Sequence, residues 1–223
     1  MNTNEKQQAM ERGRSTRGSI RGSVQIGAWL MACTLGLSLL SGCAPLILGG
    51  AVIGTGLVVT DRRTTGMQLE DKAIETKGEA RAKELATLGR INVTSYNRTV
   101  LITGEVPGET ERAAVEKAIA GVENVRSVVN ELVVAPNLSV SQRSSDSLLG
   151  AKVKASLVDA KDVAANAYRV LAERGVVYLM GRVTEREASR AVEIARSVPG
   201  TVKVVRVLDI ITEEELAAMS SKR

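Results

Sequence analysis

The side chain whose setting points most directly to covalent chemistry is Cys43, which closes the run Leu40-Ser41-Gly42-Cys43. Small residues ahead of a cysteine, at the end of an apolar stretch, fit a processing site at which the thiol accepts a lipid and the preceding peptide is removed. The stretch is Val24 to Leu40, seventeen uncharged residues, and it follows Arg12, Arg14, Arg17 and Arg21. A basic segment stays on the cytoplasmic side while an apolar one enters the export machinery. Residues 1–42 therefore read as a signal peptide and Cys43 as the lipidated first residue of the mature chain. The competing reading is an uncleaved signal-anchor helix, which the absence of charge from Gly22 to Thr60 would permit.

Little other chemistry can be built. The chain has no His, and the second cysteine, Cys33, and the sole tryptophan, Trp29, leave with the signal. This excludes His-based triads, an imidazole base, an ordinary zinc site and disulfides in the mature chain. Carboxylates cluster at Glu109 with Glu111 and at Glu213-Glu214-Glu215, on predicted solvent faces or in a tail, without a His, Cys or ligand pattern beside them. The reading is of no catalytic residue, no metal, no cofactor and no small-molecule substrate. Loss of residues 1–42 removes five basic and two acidic residues, which lowers the net charge from +5 to about +2. With no Phe and only Tyr96, Tyr168 and Tyr178 as mature aromatics, stacking platforms for single-stranded nucleic acid are missing as well. No nucleic-acid partner is expected.

The elements that must position the anchor and any site come next. Ala44 to Val59 is apolar but broken by Gly49, Gly50, Gly54 and Gly56. It falls short of the ~20 residues a spanning helix needs. Residues 43–66 read as a lipidated, Gly-rich membrane-proximal tether, or as a segment that packs on a partner. Beyond it lies an internal repeat. Residues 90–132 align with 167–209 at an offset of 77, with identities that include Val93 with Val170, Val100 with Val177, Gly104 with Gly181 and Val128 with Val205. Each copy runs from an amphipathic stretch to two β-rich segments joined by a turn, at Asn97-Arg98 or Glu173-Arg174-Gly175, then to a second helix and a valine-rich strand. Thr184-Glu185-Arg186-Glu187 is a capping box.

The fold class is α+β: two tandem domains of order α-β-β-α-β, each a three-stranded sheet with two helices on one face. The boundaries are 67–136 and 146–212, with a Ser-rich linker at 137–145 and a charged tail at 213–223 that reads as a frayed helix or as disordered. Gly104 and Gly181, at the end of each second strand, read as structural glycines that allow close approach of a helix or an unusual backbone angle.

This pattern resembles the BON-domain family, and within it the dual-domain outer-membrane lipoproteins associated with division, outer-membrane stress and lipid binding. The lipobox at Cys43, the segments Arg90–Thr94 and Val100–Gly104, and the run Val177-Tyr178-Leu179-Met180-Gly181-Arg182-Val183-Thr184-Glu185-Arg186-Glu187-Ala188 carry the resemblance. It implies a non-enzymatic protein, lipid-anchored on the periplasmic face of the outer membrane, that binds anionic phospholipid and supports the barrier, also where the cell divides. It further implies membrane contact through the first helix of the second domain, Asp146 to Val158 here. The chain departs from the family pattern at the start of that helix, where Leu148 stands in place of an aromatic anchor.

From the residues themselves, Leu148 and Leu149 are apolar candidates for the acyl boundary, and Lys152 and Lys154 for headgroup phosphates. Leu149 also shares helical spacing with Val153 and Leu157, which suits packing on the sheet. The alternative function is a periplasmic adaptor that docks on outer-membrane assembly or cell-wall machinery through a sheet edge or helix face.

Overall fold

A computed structural model describes residues 61–86 and 88–221; Cys43, the signal and the tether as far as Thr60 lie outside them. The first repeat comprises α1 (Thr65–Leu85), β1 (Arg90–Tyr96), β2 (Thr99–Val106), α2 (Glu109–Ala120) and β3 (Ser127–Val134). The second comprises α3 (Val140–Asp159), a 3₁₀ turn (Ala165–Ala167), β4 (Tyr168–Glu173), β5 (Val176–Thr184), α4 (Glu185–Ser197) and β6 (Lys203–Ile211), after which α5 (Glu213–Ser221) follows. The expected α-β-β-α-β order is present in both. In each sheet the second strand is central, antiparallel to the first through a hairpin and parallel to the third through a helical crossover.

Both hairpins turn on two residues of positive φ, Asn97 (50°) with Arg98 (67°) and Arg174 (53°) with Gly175 (73°). That geometry matches the right-handed twist of the flanking strands. It holds non-glycine residues because a buried aspartate on each first helix collects the turn amides. Asp71 accepts from the backbone N–H of Asn97 and Arg98, each at 2.8 Å, and Asp146 accepts from those of Arg174 and Gly175, each at 2.9 Å.

Two expectations are corrected, and the tail takes the helical one of its two alternatives. The Ser-rich stretch 137–145 is mostly not a linker: α3 begins at Val140, because Ser139 caps the Gln142 N–H while the Gln142 side chain accepts from the Ser139 N–H. The tail 213–223 forms α5 over its described part. The single offset of 77 holds only through the hairpins. Strand register places Val128 opposite Val100 and Val204 opposite Val177, so Val128 corresponds to Val204 rather than Val205. The cause is a one-residue shortening before the second helix, where Pro107-Gly108 precedes Glu109 but Thr184 caps Glu185 directly.

Each sheet is covered twice. Ile74, Val93, Val100, Ile102, Val115 and Ile119 build the first helix-facing core, and Leu149, Val153, Leu157, Val177, Leu179 and Ala191 the second. The opposite faces meet each other across Tyr96, Leu101, Tyr178, Met180 and Val207. The molecule is thus layered helices, sheet, sheet, helices, where the sequence points to cover on one face only. A polar ring surrounds that seam. Glu105, with no exposed surface, is held by Arg90 of its own domain at 3.2 Å and by Arg174 of the second domain at 3.1 Å. Arg90 also pairs with Glu173, Arg169 reaches Glu75 at 2.6 Å, and the Asn97 amide donates to Asp209 at 2.7 Å. Ahead of α1, Arg62 forms a two-pronged pair with Glu187 of α4, both N–O distances being 2.7 Å. The last residues of the expected tether are therefore part of the folded body.

Burial pushes the Glu187 carboxyl up, but hydrogen bonds from Arg62 and the Thr184 amide outweigh it and hold the group below the usual carboxylate range. A depressed folded value means stability that is present above the unfolded value and lost as pH falls through the folded one. Glu187→Gln is expected to lower stability at neutral pH by about 1–3 kcal/mol, with the gap closing as pH drops below about 4. Urea unfolding at both pH values checks this; a gap independent of pH contradicts it. Leu101→Ala, at the seam, is expected to cost about 2–5 kcal/mol while unfolding stays a single transition by circular dichroism. Two separated transitions in the unsubstituted protein would show that the seam does not couple the domains.

Candidate membrane-binding surface

Helix α3 turns Asp146, Leu149, Val153 and Leu157 inward. Its opposite side carries Leu148, Ala151, Lys152, Ala155 and Val158, spaced by three or four residues so that they lie along one stripe. Leu148 is 63% exposed and Val158 60%. Lys152 is exposed and makes no ion pair among the described residues, and no acid precedes Asp159 on the open side.

Of the four residues expected at the lipid surface, two are exposed and two are withdrawn. Leu148 and Lys152 are open to solvent. Leu149 is buried at 6% exposure and belongs to the second core. Lys154 is also withdrawn: its Nζ donates to the carbonyls of Ala165 at 2.6 Å and Tyr168 at 2.9 Å, pinning the 3₁₀ turn ahead of β4. Desolvation lowers its pKa, against an opposing pull from Asp61. The spacing along α3 could not foretell this, because both carbonyls come from a later segment.

The two glycines have a backbone reason. Gly104 has φ of +122°, and a side chain there would collide with the carbonyl oxygen of Arg90 on the neighbouring strand. A Cβ at Gly181 would lie 2.5 Å from the Ala167 carbonyl oxygen. The close approach is by β1 at Gly104 and by the 3₁₀ turn ahead of β4 at Gly181.

Asp71 and Asp146 are the residues that sequence reasoning passes over. A signal exists: in both first helices an aspartate stands three residues before the first core residue, Ile74 or Leu149, on the inward face, which in α1 also buries Glu75. Superposing these aspartates matches α1 to α3 and supplies a comparison within the molecule. Where α3 shows Leu148, Ala151, Lys152, Ala155 and Val158, α1 shows Ala73, Thr76, Lys77, Ala80 and Lys83. Both large apolar side chains of the α3 stripe are missing from α1. In addition α1 exposes a carboxylate, Glu79, at the position of Lys154, and its Lys77 is tied to Glu123 at 3.0 Å. Over the matched positions one duplicated helix shows solvent mixed charge and small residues, with Leu69 exposed one turn earlier and Leu85 at its end, and the other shows an apolar stripe with a free lysine.

Among the described residues no group of His, Cys, Asp and Glu is arranged to hold a metal ion, and no helix is long and apolar enough to cross a membrane.

The sequence matches the BON domain family over residues 71–136 and 145–212. It is 38% identical over 181 residues to the outer membrane lipoprotein DolP of Haemophilus influenzae, covering 79% of this chain and 93% of that protein. It is 32% identical over 157 residues to the 21 kDa hemolysin of Actinobacillus pleuropneumoniae, covering 68% and 79% of the two chains. Among solved structures, CdsD, a structural protein of the type III secretion system of Chlamydia trachomatis, overlaps 70% of this chain and 98% of its own, at 12% identity and a TM-score of 0.28, too remote to bear on function. With one domain match on each repeat and a related outer-membrane lipoprotein aligned over most of its length, the chain belongs to the BON-domain family as a tandem, two-domain member.

Proposed function

We propose that this chain is a non-enzymatic outer-membrane lipoprotein, anchored through Cys43 on the periplasmic face, whose second domain holds anionic phospholipid with the open face of α3. The observation that carries the reading is the divergence of two duplicated helices. The open face of α3 has Leu148 and Val158 where α1 has Ala73 and Lys83, and it is free of acids until Asp159, whereas α1 exposes Glu79 and pairs its Lys77. Leu148 and Val158 suit the boundary between headgroups and acyl chains. Lys152 supplies an ammonium for a headgroup phosphate, a contact of about 1 kcal/mol near an anionic surface.

Such a site is weak alone. A lipid on Cys43 keeps it at high effective concentration beside the bilayer, so that modest intrinsic affinity suffices. The family resemblance extends the proposal to upkeep of the outer-membrane barrier and to the division site. A second reading, a protein-interaction adaptor, rests on a different surface, the groove lined by Leu88, Val106, Pro107, Val134 and Pro136 at the end of β3.

Co-sedimentation of residues 61–223 with vesicles separates the two. Binding is expected to vesicles containing phosphatidylglycerol and not to neutral ones, and to fall with salt. Lys152→Glu is expected to weaken it about thirtyfold, corresponding to a swing of about 2 kcal/mol on charge reversal. Lys77→Glu in the first domain is expected to leave it unchanged. Equal loss in both variants, or no binding to anionic vesicles, overturns the lipid reading and leaves the adaptor.

A further inference from the structure

The end of the second domain that adjoins Asp146 differs from its counterpart in the first domain in a consistent direction. Sheet register equates Ser127 with Lys203, since these pair with the equivalent residues Thr99 and Val176. The same backbone hydrogen bond precedes both strands, from Arg126 N to Arg98 O and from Val202 N to Gly175 O, each at 2.8 Å. Val202 therefore stands where the first domain has Arg126. The arginine is engaged, with Thr99 at 3.1 Å and Asp209 at 3.4 Å. Val202 is 81% exposed, the highest value among the large apolar side chains described.

Charge changes with it. In the first domain this end carries Glu70, 3.9 Å from Arg98, and Glu123, paired with Lys77. The equivalent positions in the second domain are Ser145 and Pro199, so both carboxylates are gone. Arg98 and Arg126 give way to Gly175 and Val202, while Lys203 replaces Ser127 and Arg196 replaces Ala120, both exposed and without an ion pair among the described residues. Arg126 to Val202, Glu123 to Pro199 and Ser127 to Lys203 together convert a polar, internally neutralised loop into an apolar tip with basic flanks.

The loop is fixed to the start of α3. Gly200, with φ of +101°, passes close to Leu149, whose Cδ1 would lie 3.6 Å from a Cβ at that glycine. The Val202 side chain lies against Gly175, whose N–H is held by Asp146 at 2.9 Å. Leu148 follows that aspartate by two residues, so loop and helix start form one connected cluster.

We propose that Gly200–Lys203 is a second lipid-contact element of this domain, with Val202 entering the acyl boundary while Lys203 and Arg196 meet the phosphates of anionic phospholipid. The proposal rests on the reading of α3 as the membrane-facing helix and extends the footprint to a segment remote in sequence. An exposed valine in a segment, 194–208, that carries Arg196 and Lys203 without an ion pair among the described residues and contains no acid is complementary to a negatively charged, apolar-backed surface.

The test uses the purified lipidated chain, whose Cys43 thiol is consumed, with single cysteines labelled by bimane at Val202→Cys, Leu148→Cys or Arg126→Cys. Failure of the unsubstituted protein to label confirms that no other thiol reacts. In vesicles containing phosphatidylglycerol and a nitroxide-bearing phospholipid, quenching at Val202→Cys is expected to match that at Leu148→Cys and to exceed that at Arg126→Cys by about twofold or more. Lys203→Glu combined with Arg196→Glu is expected to reduce the Val202→Cys quenching. Quenching at Leu148→Cys with none at Val202→Cys overturns the loop and leaves α3 standing. Quenching at Val202→Cys alone keeps the loop as a lipid contact and removes α3. No quenching at either position overturns both.

Discussion

The contact between the two sheets is the constraint on which the rest of the structure depends. A three-stranded sheet with two helices on one face leaves its other face bare, and a domain of ~70 residues has too small a core to tolerate that well. Here each sheet covers the other. The apolar part of the seam is small, Tyr96, Leu101, Tyr178, Met180 and Val207, and its margin is charged. Glu105 sits fully buried between Arg90 and Arg174, one from each domain. Buried ion pairs of this kind contribute less to net stability than to fixing one arrangement, because desolvation offsets much of their attraction. They link the two domains at the margin of the apolar cluster.

That docking assigns the helices to the outer layers. The scaffold features are kept in both domains: a helix aspartate gripping the hairpin turn, a glycine where the first strand or the turn ahead of it passes close to the second, and helix-facing valines on the central strand. The exposed surfaces have diverged. The first domain keeps mixed charges that neutralise one another, as in Lys77 with Glu123. The second has shed carboxylates and gained apolar tips on α3 and on the loop before β6.

Much of the fold was legible in local pattern. Alternation marked the hairpin strands, helical spacing marked Leu149, Val153 and Leu157, and Thr184 with Glu187 announced the start of α4. The seam was not legible, because Glu105, Arg169, Glu173 and Asp209 alternate with apolar residues as they would on a solvent face, and only three-dimensional pairing reveals the burial of Glu105 and Glu173 and the cross-domain partners of Arg169 and Asp209. Composition misled at 137–145, where serines suggest a linker although Ser139 and Gln142 form a cap. Half of the candidate lipid site was readable: Leu148 and Lys152 follow from helical phase, whereas the engagement of Lys154 depends on carbonyls supplied by Ala165 and Tyr168.

The most direct test of the account is a residue-by-residue map of lipid proximity. Amide relaxation enhancement of residues 61–223 on anionic nanodiscs carrying a spin-labelled phospholipid would supply it. The account predicts strong broadening confined to the open face of α3 and to the loop around Val202, with α1 and the first-domain loop around Arg126 unaffected. Broadening spread equally over the equivalent positions of both domains, or centred on the β3 edge near Val133 and Val134, would contradict the assignment of membrane contact to the second domain.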